Sequence, residues 1–260
     1  MRILSLLALV IPICLQAAIL VLLAHRGLRE RFRWFFIYIL YYFLVAIMRL
    51  IVSDNKPLYF NVYWATSALA ILFTFLAFRE SFLNVLAAFA RIPWFRRLFW
   101  ICIALATIYS LAKAIFQPPI LHRPFESTII FGQLTLEYLI IGASIFFFGA
   151  VAWYRIRKYQ WEYGVILGFF ANAALSNFGF LARSIFGTKL TTVSEVLPAV
   201  AYIVAAATWL ASFIRKEPPR ADRPRLSVDL TPEQIMADLK SYWQFIANAR
   251  AFLWRKRRKR

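Results

Sequence analysis

Seven long apolar segments constrain this chain more than any other feature of its sequence. A bilayer core of about 30 Å is crossed by about 20 apolar residues in a helix that rises 1.5 Å per residue. The apolar runs are continuous rather than alternating, which indicates helices and not the strands of a barrel. The sequence therefore predicts an all-α, polytopic membrane protein with seven transmembrane helices in a domain over 1–214. The segments are approximately 3–24, 34–52, 59–78, 98–116, 128–153, 163–185 and 194–214.

The composition excludes the main soluble classes. Apolar residues make up 62% of the chain and charged residues only 17%, against about 45–50% and about 25% in ordinary soluble domains. Such a chain does not have enough polar residues to cover a water-facing surface, so a soluble enzyme is excluded. Two cysteines and eight glycines also exclude a disulfide scaffold and a collagen.

Lys and Arg in the short loops predict the orientation, because cytoplasmic loops carry the excess of these residues. The first, third and fifth loops together carry eleven of them, whereas the second, fourth and sixth carry only Lys56, Arg123 and Lys189. We therefore expect a bacterial inner-membrane protein with its N-terminus outside and its C-terminus in the cytoplasm. The cytoplasmic residues are Arg26, Arg29, Arg31, Arg33, Arg79, Arg91, Arg96, Arg97, Arg155, Arg157 and Lys158.

The residues after the last segment predict a membrane-surface element. Residues 215–230 form a Pro- and Arg-rich linker, and residues 231–260 a basic amphipathic helix that begins at the N-cap Thr231. A helix of this kind beside a membrane binds anionic lipids of the inner leaflet. Protein partners remain an alternative, and nucleic acid is not an expected partner. The predicted surface contacts are Trp243, Trp254, Arg255, Lys256, Arg257, Arg258, Lys259 and Arg260.

Glu137 is the most costly residue of the predicted spans. It lies about nine residues, or about 13 Å, into the fifth segment, so it must be protonated, paired or open to a wet cavity. On the same predicted side, Arg49, Lys113 and Arg183 lie within about one turn of the outer ends of their helices. Their long side chains can also snorkel to the interface without joining Glu137. Gln133 lies one turn above Glu137. The five residues form a predicted ligand or ion-pair cluster, and both interpretations stay open: a buried pair that fixes packing, or an outward-facing site.

Other polar and aromatic residues of the spans favour packing roles. Asn172, Ser176 and Asn177 are of the type that bonds neighbouring helices, and Gly164 with Gly168 forms a small-xxx-small step. Aromatic residues recur at helical spacing and are expected in the core, although they could line a pocket. These aromatic residues are Tyr38, Tyr41, Tyr63, Trp64, Tyr202 and Trp209.

A search for catalytic, metal or cofactor motifs finds none. His25 and His122 fall on opposite predicted sides of the membrane, and Cys14 and Cys102 are isolated in apolar segments. There is no phosphate-binding Gly-rich loop and no hydrolase or metalloprotease motif. We therefore expect no enzyme activity, no metal and no cofactor.

The start of the third segment carries a resemblance. The run Tyr59–Phe60–Asn61–Val62–Tyr63–Trp64, followed by Glu80 and Phe82, resembles an aromatic Y-F-x-x-Y-W motif in uncharacterised bacterial seven-helix integral membrane proteins. The similarity covers about residues 1–215. It implies placement in the bacterial inner membrane and gives no mechanism, because no activity is assigned to the group.

These observations lead to one functional hypothesis and an alternative. The first is a non-enzymatic inner-membrane protein that acts as a sensor or binding module, or as an accessory subunit with other membrane proteins as partners. The alternative is a proton-coupled transporter of a small anionic solute that uses Glu137, with Arg49 or Arg183 attracting the substrate. A membrane-embedded enzyme ranks third.

Overall fold

A computed structural model shows an all-helical protein over the residues that it describes. These are 2–86, 124–153, 160–186 and 191–215, with single positions between 97 and 112 and between 233 and 240. At several helix ends, including 180–186, only the backbone is described. The helices are α1 Arg2–His25, α2 Arg33–Ile51, α3 Lys56–Val85, α4 Pro124–Trp153, α5 Gln160–Phe186 and α6 Thr191–Ile214.

Four of these helices are long and apolar enough to cross a membrane: Arg33–Ile51, Lys56–Val85, Phe125–Ala152 and Val196–Ile214. Val10–His25 is a shorter apolar helix. Large apolar side chains also face outward on all six helices, as with the 75% exposed Ile51 and the 68% exposed Val21, and such a surface suits lipid rather than water. The predicted helical, membrane-type architecture is confirmed in this form, whereas the count of seven stays a prediction because most of segment 98–116 lies outside the described residues.

The chain divides into two compact units, Met1–Val85 with Ile101–Glu217 and Leu86–Trp100 with Pro218–Arg260. The six helices belong to the first unit. In it, α1, α2, α3, α5 and α6 form a closed ring of neighbours, and α4 packs against α3 and α5. The predicted domain divisions at 214 and 230 stay predictions.

The contact between α5 and α6 is close because two glycines leave room for it. A Cβ at Gly164 would overlap Ser212, and a Cβ at Gly168 would overlap the Trp209 ring. Trp209 Nε1 donates to the Val165 carbonyl at 3.0 Å, which a side chain at Gly168 would obstruct. The predicted packing role of this small-xxx-small step is confirmed.

One half of the bundle is filled by aromatic rings. Phe35 lies among the rings of Phe169, Trp209 and Phe213, with centroids 6.2, 5.3 and 5.7 Å from its own. We call this group, with Phe32 and Tyr38, the aromatic core, and each member is at most 1% exposed. Tyr38 and Trp209 are thus core residues, as predicted.

Five helix termini meet at one end of the bundle. Arg26, just after α1, donates to the carbonyls of Ile214 and Arg215 at the end of α6, at 2.7 and 3.1 Å. Contacts between Arg31 and Glu162 and between Glu80 and Trp34 bring the end of α3 and the starts of α2 and α5 to the same place. We call this end the basic end. The turn between α2 and α3 lies at the opposite end.

Candidate functional site

Glu137 lies in the middle of α4 and is held by two amide side chains. Asn177 of α5 donates from Nδ2 to Glu137 Oε2 at 2.8 Å and to the Ala173 carbonyl at 3.0 Å. Gln133, one turn earlier on α4, donates to Glu137 Oε1 over a longer 3.4 Å. We call Gln133, Glu137 and Asn177 the Glu137 cluster. No described Lys or Arg forms a salt bridge with this carboxyl group, so neutral donors alone surround it within the described residues.

Exposure varies along the face of α4 that carries Glu137. Gln133 is exposed, Glu137 is only 7% exposed, and Ile140 and Ser144 on the side of the basic end are 3% and 0% exposed. Toward the start of α4, Ile129 is again buried. Gln133 is therefore the exposed partner of a buried Glu137.

Polar side chains of three helices also meet in the interior. Gln16 of α1 donates from Nε2 to the Tyr202 hydroxyl of α6 at 2.7 Å. The Tyr202 ring stacks on Tyr42 of α2 with centroids 5.7 Å apart. Side chains of α1, α6 and α2 thus form a polar region inside a largely apolar bundle.

Arg49 binds α3 rather than Glu137. Its guanidinium donates to the Thr66 hydroxyl at 2.6 Å, to the Ser67 hydroxyl at 3.2 Å and to the Tyr63 carbonyl at 3.2 Å. Of the predicted cluster, Glu137 and Gln133 are therefore in contact, whereas the hydrogen bonds of Arg49 go to α3. The reason is local: α2 and α3 form a hairpin, and Arg49 in the last turn of α2 faces the hydroxyls of α3.

The remaining predicted site residues are outside the description. Lys113 lies outside the described residues, and only the backbone of Arg183 is described, near the end of α5. The predicted surface residues Trp243, Trp254 and 255–260 also lie outside the described residues. Their proposed roles stay predictions.

The basic end is closed by charged contacts between loops and helix ends. Arg31 donates from Nε and Nη2 to Glu162 Oε1 at 3.0 and 2.6 Å, and its guanidinium lies 5.0 Å from the Trp161 ring centroid. Trp161 Nε1 donates to the Arg215 carbonyl at 3.1 Å. Trp161, together with Arg26, thus donates to carbonyls that the C-terminus of α6 leaves unpaired.

Glu80 caps a helix at the same end. Its carboxylate accepts hydrogen bonds from the backbone amides of Trp34 and Phe35 at 3.0–3.1 Å. These amides lie in the first turn of α2, where free N–H groups and the helix dipole favour a negative charge. The sequence does not predict this cap, because no local pattern connects Glu80 to Trp34, which lies 46 positions earlier.

Several residues of the polar region were not predicted. The sequence patterns select neither Gln16 and Tyr42 nor Glu162 at the basic end, and they give Asn177 only a general packing role. A polar amide in the middle of the apolar segment 3–24 was the one signal that could have selected Gln16. Among these contacts, only the one between Gln133 and Glu137 is local in the sequence. All the others join different helices, so no local sequence pattern predicts them.

The donor set favours hydrogen bonding and proton exchange over metal binding. Among the described residues, no group of three or more His, Cys, Asp or Glu side chains could hold a metal ion. A carboxyl group between two amides can accept a hydrogen bond, bind a cationic group or exchange a proton. No protein-family model, curated protein or solved structure matches the chain.

Proposed function

We propose that this protein is a non-enzymatic membrane sensor or binding module whose binding group is the Glu137 cluster. The observation that carries the proposal is the setting of Glu137: a buried carboxyl group in the middle of an apolar helix, held by Asn177 and by the exposed Gln133. An intramembrane ionisable residue is costly, and here two helices supply amides to hold it. A binding group that opens to one end only suits recognition better than passage, so the proposal predicts access to Glu137 from the end opposite the basic end and not from the basic end.

The location is proposed from the sequence together with the course of the helices. Loop cations favour the bacterial inner membrane with the basic end in the cytoplasm. α3 ends at the basic end, whereas α4 runs parallel to α3, because Phe147 packs near Phe82 and Gly132 near Ile71. The end of α3 and the start of α4 therefore lie at opposite ends of the bundle, and a seventh helix at 98–116 is part of the proposal.

One-sided access is tested by substituted-cysteine labelling. Gln133→Cys and Ser144→Cys lie on α4 above and below Glu137, and both are made in a background without Cys14 and Cys102. We expect a membrane-impermeant methanethiosulfonate reagent to modify Gln133→Cys from outside and to leave Ser144→Cys unmodified from either side. An unreactive Gln133→Cys would contradict an outward-facing site.

A second candidate, a proton-coupled transporter of a small anionic solute, is favoured by the polar side chains Gln16, Tyr202 and Tyr42 in the bundle interior. Transport requires access to Glu137 from both sides in turn. Modification of Ser144→Cys from the basic end would support this candidate against the sensor. In proteoliposomes, Glu137→Gln should then abolish pH-dependent solute uptake, and uptake that is unchanged by the substitution would eliminate the transporter.

An accessory subunit is the third form of the proposal. It predicts that other membrane proteins remain bound through purification in mild detergent. If the protein purifies with stable partners and Gln133→Cys is also unreactive, the Glu137 cluster is a packing element of a larger complex rather than a binding site.

A further inference from the structure

A second charged group, Arg49, is held in a fixed geometry outside the Glu137 cluster. Thr66 Oγ1 accepts from its Nε at 3.3 Å and from its Nη2 at 2.6 Å, and Nη2 also donates to Ser67 Oγ and the Tyr63 carbonyl, each at 3.2 Å. The guanidinium carbon lies 4.5 Å from the Tyr63 ring centroid. We call Tyr63, Thr66 and Ser67 the Arg49 cradle.

The cradle is itself fixed by hydrogen bonds. The Thr66 hydroxyl donates to the Val62 carbonyl at 2.7 Å and the Ser67 hydroxyl to the Tyr63 carbonyl at 2.7 Å, so both oxygens present lone pairs to the guanidinium. Tyr41 of α2 donates to the Thr66 carbonyl at 2.6 Å. The long side chain of Arg49 has therefore given up its rotamer freedom before any ligand arrives.

The positive charge of Arg49 has only neutral acceptors in the described structure. No described carboxylate pairs with it, and Nη1 has no described partner. A half-buried cation without an anion is costly. The exposed aromatic rings of Tyr59 and Tyr63 near the start of α3 are typical of the membrane–water interface, which is the depth of lipid headgroups.

We propose that Arg49 on its cradle binds a phosphate group, supplied by a phospholipid headgroup of the leaflet opposite the basic end or by soluble phosphate. The cradle occupies Nε and Nη2 and so fixes the guanidinium plane, while the N–H groups of Nη1 stay available to phosphate oxygens. A lysine ammonium has no such planar group that can be held by the cradle and donate to phosphate at once. This site is separate from the Glu137 cluster and does not depend on the proposed sensor function.

The test is native mass spectrometry of the full-length, delipidated protein titrated with phosphatidylglycerol. We expect Arg49→Met to weaken the tightest lipid site by about tenfold or more, the usual effect of losing a charged hydrogen bond. Arg49→Lys should also weaken it, and Ser67→Ala, which keeps the charge, should weaken it less. Arg29→Met is the matched control, because Arg29 contacts the Phe36 ring at 5.0 Å at the basic end, away from the cradle.

Competition with inorganic phosphate distinguishes the two sources. If millimolar phosphate does not displace the lipid, the headgroup is the ligand. If phosphate displaces it, and binds wild type but not Arg49→Met, soluble phosphate is the ligand. Equal lipid affinity in wild type and Arg49→Met overturns the proposal, and so does full retention by Arg49→Lys, which would show that charge alone is recognised.

Discussion

Single polar residues connect different helices in this protein. Glu137, Arg49 and Glu80 each bind a helix other than their own, through amides, hydroxyls or backbone N–H groups. Such contacts are required because a polar group inside a membrane-type bundle has no water to satisfy it. A change at one of these residues is therefore felt by two helices.

Removal of the Glu80 cap should destabilise α2. Glu80→Gln keeps the shape but removes the negative charge at the first turn, so we expect a loss of about 1 kcal/mol in the free energy of unfolding. The measurement is thermal unfolding in detergent. The matched control is Glu30→Gln, because Glu30 is an exposed loop residue and should leave stability unchanged.

Arg31 and Glu162 should be energetically coupled. Arg31→Met leaves the 5% exposed Glu162 side chain without its cation, whereas the double substitution with Glu162→Gln removes both charges. We therefore expect the double variant to lose less unfolding free energy than the sum of the losses in the two single variants. The difference, which is the coupling energy, should be about 1–3 kcal/mol. Additive losses in thermal unfolding would show that the pair does not act as a unit.

At the scale of elements, the bundle depends on close contact between α5 and α6 and on the hydrogen-bonded α2–α3 hairpin. The glycine step lets the α5 backbone approach Ser212 and Trp209, and Trp209 is also part of the aromatic core. The close α5–α6 contact thus positions the ring that fills the basic half of the molecule.

Gly168→Ala should disturb this contact. The added methyl group would overlap the Trp209 ring, so we expect a loss of about 1–3 kcal/mol in unfolding free energy and a change in tryptophan fluorescence. Gly142→Ala on α4 is the matched control, since a Cβ there meets nothing within 4 Å. A helical glycine in open space gains up to about 1 kcal/mol on replacement by alanine. Equal effects at the two positions would contradict the packing role.

At the scale of the whole molecule, the two ends differ in chemistry. Charged contacts between Arg31 and Glu162 and the capped helix ends lie at the basic end, whereas the opposite end carries the Arg49 cradle. The proposed sensor function requires that this opposite end face the medium that is sensed.

The proposed orientation is tested by labelling intact cells with a membrane-impermeant maleimide. In a background without Cys14 and Cys102, Asn55→Cys should react from outside and Glu30→Cys only after permeabilisation. Both are exposed positions at opposite ends of the bundle, so each serves as the control for the other. The reverse pattern would invert the orientation, and reporters at the two termini in the same compartment would exclude an odd number of spans.

The sequence alone determined the class of structure and the position of its costly residue. Continuous apolar runs specify membrane-type helices because the rise of a helix and the thickness of the hydrocarbon core are both fixed. Glu137 is recognisable because a carboxyl group in such a run has a high free-energy cost of burial. The small-xxx-small step at Gly164 and Gly168 was also readable as a local pattern.

The tertiary structure alone decided the partners. The position of Arg49 in the sequence allows a side chain that snorkels to the interface, an ion pair or a ligand site, but only the hairpin geometry assigns it to Thr66 and Ser67. Asn177 meets Glu137, and Glu80 meets the start of α2, across 40 or more residues. Apolar lipid leaves the rotation and pairing of neighbouring helices unspecified, so these choices rest on ring packing, glycine contacts and hydrogen bonds that form only when the helices are together.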